Sequence, residues 1–268
     1  MSKTTAARST ASRAKNSRWL EGAARVGYVT NGILHLLIGG IALGVAFGGS
    51  GSADQSGALR SIASAPGGVF VLWLIVVGMA GLALLQLLEA LLERGSGKEH
   101  WMVRAKAAGK AVAYLAVGLT ALPFALGGSG GGGGAEQGLS AQLLASPGGV
   151  VLLVVVGLGV LAIGVYYVAR GAGRGFVDDV RLPTGAAGTG VIVVGTAGYV
   201  AKGIAIGIVG SLFVVAAVTA DPSEAAGLDG ALKSLTGLPF GVALLAVVAV
   251  GLILFGLYCF ARARLARL

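Results

Sequence analysis

Apolar residues fill this chain in six runs, at 26–47, 68–92, 107–126, 148–168, 191–218 and 240–261. Each is long enough to cross the ~30 Å hydrocarbon layer of a bilayer as a helix. Polar residues collect between the runs, and the connections alternate in character. The segment before the first run, those after the second and fourth, and the one after the sixth are rich in Lys and Arg. Those after the first, third and fifth are small, Gly-rich and nearly free of cations. The pattern predicts an all-α polytopic membrane protein with six transmembrane helices.

Cation placement predicts the orientation. Of the 20 Lys and Arg, 17 fall on one side of this scheme; Arg60 and Lys233 fall on the other, and Lys202 lies within the fifth run. Basic loops stay in the cytoplasm, so both termini are expected there. Residues 1–23, small, polar and basic, lack the apolar core of a signal peptide and read as a disordered cytoplasmic tail. The pI near 10.1 then reflects loops touching anionic headgroups rather than nucleic acid.

Three copies of one unit organise the chain. "GALRSIASAPGGVFVLWLIVVG", "GLSAQLLASPGGVVLLVVVGLG" and "GALKSLTGLPFGVALLAVVAVG" align without gaps, superposing Pro66, Pro147 and Pro239. The preceding helices align as "GYVTNGILHLLIGG" over "GYVAKGIAIGIVGS", with "AAGKAVAYLAVG" as a more diverged middle copy. Each unit reads as helix, outer loop, short apolar segment, Pro-x-Gly, helix. The short segments, with Leu59 and Ile62 or Leu232 and Leu235 at helical spacing, are expected to lie on the outer interface. Proline is expected as the first residue of the second span. The repeats are 24–97, 98–181 and 182–268, all in one orientation. Parallel repeats are related by an axis along the membrane normal, here a pseudo-threefold one. This layout resembles the domain-of-unknown-function 1206 family, six-span bacterial membrane proteins built from three tandem two-helix repeats. The resemblance rests on the "GYVxxG" helix starts and Pro-x-Gly turns. It implies a bacterial plasma membrane and no established activity. It also implies a cation before the second glycine of each helix start; here those positions hold Asn31, Lys110 and Lys202.

Chemistry is sparse. The 12% charged fraction is about half that of an average globular protein. The one cysteine, Cys259, excludes an intrachain disulfide, and His35 and His100 have no Cys partners for zinc. No catalytic, metal or cofactor motif is present, so the expected role is a non-enzymatic structural or accessory component. The alternative is a transporter or channel with its path along the pseudo-axis. Five polar positions within the spans are candidates: Asn31, Lys110, Lys202, Glu89 and His35. Lys202 reads first as an anchor reaching the inner headgroups, and second as part of a polar ring with Asn31 and Lys110. Glu89 occupies the repeat position of Arg170 and Arg262, which invites an ion pair among them. Gly40, Gly44 and Gly48 form a stripe suited to close helix contact, as do Gly203 and Gly207.

Overall fold

The computed structural model describes residues 18–93, 97–128 and 135–266. The tail through residue 17, Arg94, most of the glycine linker and the last two residues lie outside them. Among the described residues the fold is helical, with nine α-helices. Six are long: α1 (Arg18–Ala46), α3 (Gly68–Leu92), α4 (Lys98–Ala125), α6 (Gly149–Ala172), α7 (Ala186–Thr219) and α9 (Gly241–Leu265). All six are apolar and long enough to span a bilayer, and the chain is a multi-pass membrane protein. Three are short: α2 (Gln55–Ala63), α5 (Ala135–Leu144) and α8 (Gly227–Ser234). They sit at one end of the bundle, the short-helix face. The first and last described residues sit at the other, the terminus face.

The Pro-x-Gly turns have one geometry in all three repeats. The amide of Gly68 donates to Ala65, that of Gly149 to Ser146, and that of Gly241 to Leu238, at 2.8–3.0 Å. The residue after each proline has positive φ: Gly67 at 75°, Gly148 at 77° and Phe240 at 61°. Proline second and a left-handed residue third make a type II turn. The helix begins only after that left-handed residue, so proline stands just before the N-cap and not at the first helical position expected of it. The fixed φ of proline serves the turn, not the helix.

The apolar faces of α2 and α8 are also not exposed to the interface. Leu59 and Leu232 are fully buried, and Ile62 and Leu235 nearly so. Their apolar faces plug the end of the bundle against Leu72, Ala121 and Leu245 in one continuous core. Polar contacts tie the plugs across repeats. Asp229 accepts from the Ala53 amide at 2.8 Å, and Gln137 donates to the Ser223 carbonyl at 3.2 Å.

The most extensive helix contacts run between repeats: α3 against α4, α6 against α7, and α9 back against α1. Within repeats α7 packs well on α9 and α1 only lightly on α3. Among the described residues α4 and α6 scarcely touch. Association in lipid relies on van der Waals contact, which favours small residues at seams. A Cβ built on Gly256 would lie 2.8 Å from the Gly32 carbonyl, and one built on Gly39 would lie 2.7 Å from that of Ala249. The stripe expected to make such contacts behaves differently: a Cβ on Gly40 or Gly44 would meet nothing within 4 Å. Gly32 and Gly39, offset around the same helix, carry the seam instead.

Candidate functional site

Toward the terminus face, α1, α6, α7 and α9 bring polar and aromatic side chains together. The linker between α6 and α7 fixes the arrangement. Its Phe176 is fully buried, stacked on Tyr199 with ring centroids 5.1 Å apart and edge-on to Tyr258 at the same distance. Gly195 makes room, since a Cβ there would overlap the Phe176 ring. Val180 is also buried and forms an isolated antiparallel bridge with Ala266, while the Arg181 amide donates to the Leu265 carbonyl at 2.7 Å. These anchors hold the single 3₁₀ turn Val177–Asp179 against the ends of α6 and α9.

Asp179 consequently stands between two arginines. One carboxylate oxygen accepts a hydrogen bond from Arg170 at 2.7 Å and forms an ion pair with Arg262 at 2.9 Å. A second nitrogen of each guanidinium turns to tyrosine: Arg170 to the Tyr166 hydroxyl at 2.8 Å, and Arg262 to that of Tyr199 at 3.2 Å. Arg262 also lies over the Tyr28 ring, 4.7 Å from its centroid, and its Nε is buried with no partner among the described residues.

Lys202 lies deeper. It is 17 residues from the short-helix end of α7, about 25 Å along the axis. Its ammonium rests 4.2 Å from the centroid of Phe255 and 5.1 Å from that of Tyr167. Tyr167 in turn stacks on Tyr199. Among the described residues no carboxylate lies within salt-bridge distance of Lys202. Two desolvated cation–π contacts of about 2 kcal/mol each offset part of the several kcal/mol that an unpaired ammonium costs in lipid. Close by, Asn31 donates to the Cys259 sulfur at 3.4 Å. His35 donates from Nδ1 to the Asn31 carbonyl at 2.8 Å, and its ring tilts against Phe255 at 4.8 Å.

The candidate positions thus separate. Asn31, His35 and Lys202 converge around Phe255. Lys110 is exposed on α4 and joins no cluster among the described residues. Glu89 is exposed as well and, among the described residues, accepts only from Gln86, at 2.8 Å. Among the described residues the ion pair expected for Glu89 does not form; its repeat equivalents Arg170 and Arg262 take Asp179 instead. Sequence reasoning missed Asp179, the tyrosines and Phe255. Asp179 carried one usable signal, an acid in a linker bounded by the basic ends of two spans.

The comparisons with known proteins bear on this arrangement through the repeats. The family model for the Domain of Unknown Function (DUF1206) matches three times, over residues 26–93, 105–174 and 197–266. The chain belongs to this family. Each DUF1206 match starts five residues before Asn31, Lys110 or Lys202, so the three positions are equivalent in register and differ in surroundings. The chain is also 30% identical over 247 residues to YxxB of Bacillus subtilis (strain 168), an uncharacterized protein, covering 90% of this chain and 89% of that one. No solved structure matches.

Proposed function

We propose that the protein is a non-enzymatic structural or accessory component of the bacterial plasma membrane, with both termini in the cytoplasm and its repeats arranged about a pseudo-threefold axis. The observation that carries this reading is the seam of α9 on α1. It repeats the α3–α4 and α6–α7 seams and joins the last repeat to the first through Gly32 and Gly256. The 17-to-2 distribution of cations supports the orientation. A topology reporter fused after residue 268 tests it; activity of the reporter outside the cell would reverse the assignment.

Transport along the pseudo-axis is the second reading. It is favoured by the cations and tyrosines gathered at the terminus face, which a purely structural bundle does not need. Proteoliposomes containing the full chain separate the two. Anion or cation release no faster than from empty liposomes upholds the accessory role; release that depends on Lys202 transfers the conclusion to transport.

A further inference from the structure

The cationic cluster is not neutral. Arg170 and Arg262 share one carboxylate, Asp179, and Lys202 has none within salt-bridge distance, leaving two positive charges without counterions among the described residues. Lys202 and Arg262 share one aromatic stack: Lys202 lies over Tyr167, Tyr167 stacks on Tyr199, and Arg262 donates to the Tyr199 hydroxyl. Their ring-facing sides are occupied by Phe255, Tyr167 and Tyr28, so the unused capacity is in their N–H groups. The buried, partnerless Nε of Arg262 belongs to that capacity. Buried N–H donors are rarely left without an acceptor, so this one needs water or an anion.

We propose that this cluster is a binding site for a phosphomonoester-type oxyanion, entering from the terminus face and held by Arg262 and Lys202. A planar guanidinium suits a phosphate edge, and an ammonium adds a point charge beside it. A phosphomonoester near pH 7 carries about −1.5 to −2 charges, which matches the two uncompensated ones; a monocarboxylate would leave one. Asp179 shows the mode of recognition in miniature, because its carboxylate already draws together guanidinium groups from two helices. The same headgroup chemistry is available from free phosphate and from a lipid with a terminal phosphate. This inference goes beyond the accessory reading and does not require transport.

The full chain in a neutral detergent is titrated calorimetrically with inorganic phosphate. In a parallel arm it is incubated with vesicles of phosphatidic acid or of phosphatidylcholine and examined by native mass spectrometry. Saturable binding of phosphate, or retention of phosphatidic acid over phosphatidylcholine, is expected; the responding arm identifies the source. Lys202→Gln should weaken binding at least tenfold, while Lys110→Gln, at the equivalent exposed position, should leave it unchanged. Arg262→Lys keeps the charge and removes Nε, and should weaken binding several-fold even if Lys202→Gln does not fold. Wild-type protein that binds neither probe saturably overturns the proposal. So does equal loss in the Lys110 and Lys202 variants.

Discussion

Gly164 offers the sharpest test of the seams. A methyl group placed there would lie 2.6 Å from the Gly207 amide nitrogen and 2.8 Å from the Gly203 carbonyl. Ordinary contact begins near 3.4 Å, and both neighbours are backbone that no rotamer change can move aside. Helices α6 and α7 would have to separate by ~1 Å along this stretch, losing dispersion contacts on both sides of the gap. Five residues earlier on the same helix, a Cβ on Gly159 would meet nothing within 4 Å. Replacing either glycine by alanine gains about 1 kcal/mol of helix propensity. That gain cancels between the two variants, so their difference isolates the overpacking, about 1–3 kcal/mol. Gly159→Ala should be as stable as wild type or more so, and Gly164→Ala should be less stable than Gly159→Ala by that margin. Reversible unfolding in mixed micelles, followed by circular dichroism, measures the pair side by side. Equal midpoints for the two variants would refute the close approach of α6 and α7.

Phe240 holds the left-handed turn position that glycine fills in the other two repeats, and its side chain is 87% exposed. A left-handed L-residue costs about 1–2 kcal/mol, partly offset by the entropy glycine loses on folding, so Phe240→Gly should stabilise by about 0.5–1 kcal/mol in the same assay. Asp179→Asn leaves Arg170 and Arg262 facing each other without a counterion and should destabilise by about 1–3 kcal/mol, since all three are partly solvated. Glu89→Gln should be near neutral, and a larger effect than that of Asp179→Asn would contradict the observed pairing. Hydrogen bonds from the Ser223 hydroxyl and amide hold the exposed Asp221 carboxyl below its ordinary value of 3.8. The stabilisation is present above that ordinary value and is lost as pH falls through the depressed one. Ser223→Ala should raise the Asp221 midpoint in an NMR titration; an unchanged midpoint would remove the hydroxyl as a cause.

The spans and repeats were legible because their signals are local and redundant. Residues 68–92 were bounded correctly from the apolar run alone, since a Pro-x-Gly turn opens it and Glu93 follows it. The three prolines could be superposed because each type II turn needs the same residues at the same offsets. What lay beyond reach was lateral. Nothing in a hairpin's sequence says that α3 prefers α4 of the next repeat, or that Gly39 rather than Gly40 faces a neighbour. One residue of offset on a helix turns a side chain by about 100°. Asp179 was missed for the related reason that its partners come from two helices, one of them over eighty residues away. The apolar spacing of Leu59 and Ile62 was read correctly as a helix face, but pattern alone cannot say whether lipid or protein covers it.

The contrast between frame and site follows from the same repeats. Three repeated units supply three turns of one geometry and three seams, each between two different repeats. A chemical distinction enters where the copies have diverged. At one repeat position the first unit carries Glu89, and the second and third carry Arg170 and Arg262. Only the linker between those two arginine-bearing units reaches across to bridge to Ala266 and seat an acid between them. The preceding linker is bordered by a different arrangement: Glu93 pairs with His100 at 2.6 Å, and its carbonyl accepts from Arg104 at 3.0 Å. The arginine pair on Asp179 therefore sits at this one junction, with Lys202 beneath it and Asn31 and His35 contributed across the α9–α1 seam. A structural ring alone would tolerate three like copies. The concentration of cations and aromatic rings at one junction is the feature such a ring leaves unexplained, and an anionic ligand accounts for it.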